Sequence, residues 1–201
     1  MSWKDRDKFE NSMQRIGILG GTFNPIHVGH LLMAEMTRDQ LKLDRVIFIP
    51  SYWPPHKRAQ DVIDAHDRYQ MVRLAIEGHS SFEVSDIEIL RKGKSYSIDT
   101  IQSLKDHLPL KTQIYFIIGE DSLATLKTWK EIDKLLKFVK FVVVNRPGSK
   151  AKSKIKTLSV EMPGLDISSS DIRQRICQNK TIKFLVPEKI EDYIQTHQLY
   201  Q

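Results

Sequence analysis

Between β-like and helix-like segments near the N-terminus, the chain reads Gly20-Gly21-Thr22-Phe23-Asn24-Pro25-Ile26-His27-Val28-Gly29-His30. Glycines carry no Cβ, so the backbone at Gly20 and Gly21 can approach a phosphate closely and donate N–H groups to it. The spacing predicts a helix beginning near Val28, whose positive end favours an anion. His27 and His30, three residues apart, then lie on one side of its first turn, and Gly29 leaves space for a nucleotide against the backbone. Two plainer readings compete. A histidine pair can bind zinc, but no cysteine or carboxylate cluster sits nearby in sequence. Two histidines can also simply pack or cap. The run is neither the dinucleotide fingerprint nor the Walker loop, which needs Gly-Lys-Ser/Thr.

A second candidate is Ile167-Ser168-Ser169-Ser170-Asp171-Ile172-Arg173. Serines ahead of a helix bring hydroxyls and free N–H groups to an anion-binding end. Arg173, about one turn in, has a planar fork suited to phosphate oxygens. The commoner use of such serines is an N-cap, and both uses are compatible. Asp121 follows an expected strand end, where it can accept from ribose hydroxyls or cap a helix. His56, Lys57 and Arg146 are loop residues able to meet a phosphate or carboxylate, although loop cations are usually only solvated. Trp129, expected on a helix face, reads by itself as core.

These residues need elements to hold them. Arg15–Gly20, Arg45–Pro50, Gln113–Gly119 and Phe138–Asn145 are continuous apolar runs and read as buried strands, with Thr157–Val160 a further one. Phe82–Leu90 carries Val84, Ile87 and Ile89 and reads as a short strand with a continuation. Helical spacing follows Pro25, covers 67–77, and opens at Ser97 or Asp99 as N-cap. Helices are also expected at 121–126, 129–137, 169–178 and 187–197, the last with Pro187 near its first position. Apolar strands alternating with helices predict a doubly wound, Rossmann-like α/β domain with a parallel sheet covered on both faces. Ligands bind such sheets beyond the strands' carboxyl ends, where strand order reverses, and the candidate residues follow those ends.

Composition sets the frame. The chain has 201 residues, 40% of them hydrophobic and 28% charged. One domain (residues 15–201) behind an N-terminal extension (residues 1–14) is expected. The single cysteine, Cys177, excludes an intrachain disulfide and reads as a packed thiol. No run approaches the roughly 20 apolar residues of a membrane span. The N-terminus alternates charges without an apolar signal core, so a soluble, cytoplasmic protein is expected. A net charge of +6 raises nucleic-acid binding, but Lys150, Lys152, Lys154 and Lys156 concentrate much of it in one segment that reads as a solvated loop.

The segment around His27 and His30 resembles the nucleotidyltransferase superfamily marked by His-x-Gly-His, and more closely the bacterial nicotinate-nucleotide adenylyltransferases. The resemblance runs from about Ile16 to Tyr200. It includes Pro54-Pro55-His56-Lys57, Ser95-Tyr96-Ser97-Ile98-Asp99-Thr100, Gly119-Glu120-Asp121-Ser122 with Leu126 and Trp129, Asn145-Arg146-Pro147-Gly148 and the Ile167–Arg173 block. It implies adenylyl transfer from ATP, entering with Mg²⁺, to nicotinate mononucleotide. His27, His30 and Arg173 are then the candidate catalytic groups. Gly20, Gly21, Thr22, Phe23, Gly29, Gly119, Asp121, Ile167, Ser168, Ser169 and Ser170 are the candidate ATP contacts. On the mononucleotide side stand His56, Lys57, Tyr96, Ser97, Thr100, Arg146 and Trp129, the last stacking on the nicotinate ring. No nucleic acid or membrane partner is expected; the sequence leaves the oligomeric state open, a homodimer being common for small α/β enzymes. Phosphopantetheine adenylyltransferases carry Thr-x-Gly-His instead, cytidylyltransferases an Arg-Thr-x-Gly-Ile-Ser-Thr-Thr block that is missing here, and class I tRNA synthetases a Lys-Met-Ser-Lys-Ser loop that Lys150–Lys154 does not match. A nucleotide sensor or RNA-binding protein on the same fold is the remaining alternative.

Overall fold

Apolar residues at successive positions of the long strands sort the core into two layers. The computed structural model describes residues 13–55, 61–145 and 155–201. Its six strands are β1 (Arg15–Gly21), β2 (Arg45–Pro50), β3 (Phe82–Val84), β4 (Gln113–Gly119), β5 (Val139–Asn145) and β6 (Leu158–Glu161). All pair in parallel, in the order β3-β2-β1-β4-β5-β6. Because strand side chains alternate faces, Val46 and Phe48, Tyr115 and Ile117, and Val142 and Val144 fall in one core. Ile47 and Ile49, Ile114, Phe116 and Ile118, and Phe141 and Val143 fall in the other.

Helices cover each layer. The first core takes Ala34 of α1 (Val28–Leu41), Met71 and Val72 of α2 (Ala65–Ala75), Ile172 of α7 (Ser169–Cys177), and Ile190 and Ile194 of α8 (Glu188–Thr196). The second takes Ile98, Ile101 and Leu104 of α4 (Ser97–Lys105), Leu123 of α5 (Glu120–Thr125) and Leu135 of α6 (Ile132–Phe138), with Ile87 of α3 (Ile87–Arg91) packed against it. Each fully buried aliphatic or aromatic side chain contributes roughly 1.5–3 kcal/mol. This two-faced burial is why the strands read as unbroken apolar runs. No helix among the described residues is long and apolar enough to cross a membrane.

Strand order reverses between β1 and β4, and the register opens a crevice there. β1 stays paired with β2 as far as Gly21–Pro50, but its pairing with β4 ends at Ile18–Phe116 although β4 runs on to Gly119. The carboxyl ends of the two central strands therefore part at the point where doubly wound sheets bind ligands.

Four expectations change. The Ile87–Ile89 stretch is helix α3, not a strand continuation. β3 stops at Val84, the Ser85 hydroxyl accepts from the Ile87 N–H at 3.4 Å, and the helix buries Glu88. Tyr96 occupies the N-cap of α4 without a side-chain cap bond, because the Asp99 carboxylate turns to Lys130 instead. Trp129 follows a 3-10 turn at Leu126–Thr128 rather than lying on a helix, and Glu131 in the left-handed region starts α6. Cys177 is exposed: Ile172 takes the buried face of α7, and the thiol donates to the Tyr200 carbonyl at 3.1 Å.

Candidate active site

The loop after β1 is fixed by its own side chains. Phe23 is buried in the left-handed region (φ 49°) and packs edge-on to His30 at 5.1 Å between ring centroids. A Cβ on Gly21 would come within 3.0–3.3 Å of the Phe23 ring, whereas one on Gly20 would meet only Phe116 at 3.7 Å. Of the paired glycines, the second is the one this turn requires.

His27 is the N-cap of α1, and the His30 ring folds back so that its Nδ1 accepts from the His27 N–H at 3.3 Å. With Nδ1 accepting, the proton of the neutral ring sits on Nε2. The two imidazoles lie 3.8 Å apart between centroids, tilted by 31°. Gly29 matters in an unexpected way: a Cβ there would meet Nδ1 and Cε1 of His27 at 3.0 and 3.1 Å. The glycine leaves room first for the histidine ring.

A second helix end is tied to this loop. The Ser168 hydroxyl caps α7, accepting from the Asp171 N–H at 3.1 Å and donating to its carboxylate at 2.6 Å. The Ser169 hydroxyl donates to the Pro25 carbonyl at 2.9 Å. Arg173 donates to the Asn24 carbonyl at 2.9 Å and to the Ser170 hydroxyl at 3.3 Å. The amino ends of α1 and α7 thus converge on Asn24–Pro25, and two positive helix ends with an arginine face one region. The capping and anion-binding readings of the serines coexist here: Ser168 and Ser169 are engaged by the protein, and the helix end that they build remains.

Asp121 is exposed in the first turn of α5, directly beyond the carboxyl end of β4, with Gly119 as N-cap. On the other flank, Tyr96 and Ser97 open α4. Lys130 holds the Asp99 carboxylate at 3.0 Å and lies 4.8 Å from the Tyr96 ring centroid, which brings the chain after Trp129 against this helix end. Trp129 is half-buried and edge-on to Phe116 and Phe141 at 5.7 and 6.0 Å. Thr100 is placed differently from its expected substrate contact. It is 2% exposed; its hydroxyl is bonded to Glu88 and receives Arg91 at 3.0 Å, so it braces α3 against α4. His56, Lys57 and Arg146 lie outside the described residues.

Three residues around the site escaped the sequence reading. Arg68, 1% exposed, donates to the carbonyls of Thr22, Tyr52 and Ile63. Asn24, also 1% exposed, donates to the Asp61 carbonyl at 3.0 Å and accepts from the Ile63 N–H and the Tyr200 hydroxyl. Tyr200, one residue from the C-terminus, supplies that hydroxyl at 3.0 Å. Nothing local in sequence announces such long-range bonds. Burial pushes the Glu88 carboxyl up, against hydrogen bonds from Ser95 and Thr100; it also pushes the Tyr200 phenol up and the Arg68 guanidinium down.

The chain is similar to known proteins over most of its length. The cytidylyltransferase-like family profile matches residues 18–175. A relative from Thermoanaerobacter sp. (strain X514), named nicotinate-nucleotide adenylyltransferase, is 47% identical over 93% of this chain and 94% of its own length. One of the same name from Oceanobacillus iheyensis is 44% identical over 94% and 97%. Among solved structures, a nicotinic acid mononucleotide adenylyltransferase of Plasmodium falciparum complexed with NaAD superposes with a TM-score of 0.75 at 20% identity, covering 93% of this chain and 97% of that one. That likeness speaks for the fold, and the two closer relatives for the family. Sharing that profile over most of its length and nearly half its residues with such relatives, the chain belongs to the cytidylyltransferase-like family and, within it, to the nicotinate-nucleotide adenylyltransferases.

Proposed function

We propose that the chain transfers the adenylyl group of ATP to nicotinate mononucleotide, giving nicotinate adenine dinucleotide and pyrophosphate for NAD synthesis. The observation that carries the site assignment is the tie between helix ends: Arg173 and Ser169 of α7 are bonded to the two peptides that lead into His27.

A phosphate oxygen of the mononucleotide attacks the α-phosphorus of ATP, forming the new P–O bond as the bond to the β-phosphate breaks in line. The attacking oxygen is already anionic, so neither a general base nor an enzyme nucleophile is needed. Positioning and charge stabilisation supply the rate. His27 and His30 meet the triphosphate, with Gly20, Gly21, Thr22 and Phe23 beneath it and Gly29 beside the histidines. The α7 end at Ile167–Ser170 and Arg173 hold the departing pyrophosphate. Gly119 and Asp121 face the ribose. Tyr96, Ser97 and Trp129 receive the nicotinate side, with His56, Lys57 and Arg146 completing it, while Thr100 acts by bracing α4.

No group of three histidine, cysteine or acidic side chains able to hold a metal occurs among the described residues. Magnesium is assigned to the substrate as MgATP on its preference for phosphate oxygens and water. The same reading takes residues 15–201 as the transferase domain behind an extension of residues 1–14, and the working form as a cytoplasmic homodimer, to be checked by light scattering and fractionation.

The experiment is pyrophosphate release from MgATP with nicotinate mononucleotide, nicotinamide mononucleotide or phosphopantetheine as acceptor. The expected result is kcat/KM at least about tenfold higher with the nicotinate compound, a difference of about 1.4 kcal/mol. No release with any of the three would overturn the assignment.

A further inference from the structure

Arg68 is a cation in the interior whose hydrogen bonds run to main-chain carbonyls. Its Nη1 donates to Thr22 at 2.8 Å, Nη2 to Tyr52 at 3.0 Å and Nε to Ile63 at 3.1 Å. A buried charge is costly to desolvate, and an apolar side chain of similar volume would often serve the core as well. The three carbonyls belong to the β1–α1 turn and to both ends of the β2–α2 connection, and that placement gives the arginine its purpose.

Thr22 lies in the turn between β1 and α1. Its trans peptide turns the Phe23 N–H away from the carbonyl that Arg68 holds. Phe23 itself sits at φ 49°, a conformation that a bulky aromatic keeps only when its surroundings over-determine it. Tyr52 continues the connection outward. Its N–H donates to the Ser95 hydroxyl at 3.0 Å, and the Ser95 N–H donates to the Trp53 carbonyl at 3.0 Å. Ser95 lies near the Glu88 carboxyl, which accepts from the Thr100 hydroxyl. Ile63 returns toward Asn24 through its N–H, and Asn24 carries Arg173 on its carbonyl.

We propose that Arg68 is a positioning residue for adenylyl transfer. It holds the phosphate-side turn at Thr22–Phe23 and the mononucleotide-side pair Tyr52–Ser95 in one fixed relation. The inference rests on the adenylyltransferase reading above. In-line attack tolerates little displacement between the two reactants, so the link between their cradles acts on turnover rather than on the affinity of either substrate. Only a planar fork reaches all three carbonyls at once; a lysine keeps the charge and loses the span.

The test compares wild type with Arg68→Lys, Arg68→Met and Ser95→Ala by steady-state kinetics with MgATP and nicotinate mononucleotide, beside thermal melts. The two Arg68 variants are expected to lose at least about tenfold in kcat while each KM moves less than about threefold. Lysine should recover more of the melting temperature than methionine without recovering kcat. A Lys variant that melts like wild type and keeps kcat within about twofold overturns the proposal. If neither Arg68 variant folds, Ser95→Ala decides, because it cuts the same connection at a half-buried hydroxyl: a loss of kcat of about threefold or more supports the proposal, and an unchanged kcat rejects it. If wild type itself releases no pyrophosphate, the enzyme reading fails separately. In the active protein, calorimetry with a non-hydrolysable ATP analogue checks the split: affinity within about threefold of wild type in Arg68→Lys agrees with a role in turnover, and binding about tenfold weaker rejects it.

Discussion

Gly29 shows how a residue that lowers helix stability can be required by its neighbour. An alanine in the first turn of α1 would gain up to about 1 kcal/mol of helix propensity, yet its Cβ would press on the His27 ring at 3.0 Å. Gly29→Ala should therefore leave the melting temperature within a few degrees of wild type while kcat falls by about tenfold or more, since His27 must move. Measured kcat close to wild type would mean that the ring's position does not matter. Glu88 makes a prediction of a different kind. Burial raises its carboxyl above the ordinary value of 4.5. Below that value the carboxyl is protonated in both folded and unfolded chains, and its full stabilising contribution is present. As pH rises the unfolded chain ionises first, so that contribution is lost up to the folded pKa. Glu88→Gln, which keeps an acceptor for Thr100, should gain stability relative to wild type as pH rises above about 4.5. Urea midpoints of both proteins across the acid-to-neutral range would show this; parallel curves would place an ionised Glu88 in the fold at no cost.

At the scale of elements, α7 contributes an orientation. Its own cap is Ser168, so the bond from Ser169 to Pro25 is free to act as a fastener between α7 and the loop ahead of α1. Ser169→Ala keeps the cap and loses the fastener. It should cost about 0.5–1.5 kcal/mol of stability and raise KM for ATP several-fold, leaving KM for nicotinate mononucleotide unchanged. Kinetics with each substrate varied separately distinguish this from a general loss of folding, which would lower active enzyme without moving either KM. The opposite flank follows the same logic: Lys130, by holding Asp99, sets the segment after Trp129 against the start of α4.

Across the whole molecule, Tyr200 is tied to the candidate site through Asn24. Tyr200 reaches Asn24 across 176 residues, and Asn24 in turn carries Arg173. Tyr200→Phe removes the hydroxyl and leaves the buried Asn24 oxygen with the Ile63 N–H alone, a cost of about 0.5–1.5 kcal/mol. For a domain of this size that corresponds to roughly 2–4 °C of melting temperature per kcal/mol. A melt unchanged by Tyr200→Phe would show that the C-terminus only drapes over the site.

Much of this was legible in the sequence, because periodicity and turn chemistry are local. The long strands showed as apolar runs, since both faces are covered. Gly20–His30 and Ser168–Arg173 showed their likeness to phosphate-facing helix starts from residue type and spacing alone. Where the reading slipped, a local pattern served a distant partner. Ile87 and Ile89 alternate like a strand but lie on a helix that buries Glu88. Asp99 looks like a cap and pairs with Lys130. Thr100 sits in a substrate-like segment and bonds to Glu88. Arg68, Asn24 and Tyr200 were invisible, because a buried hydrogen bond between residues far apart in the chain leaves no periodic trace. The sequence by itself determined the long strands, the sheet class and the residue types at the two helix starts proposed to meet the phosphates. Only the tertiary structure decided which side chains meet there and which are spent holding the loops, because that depends on contacts between segments that no local propensity encodes.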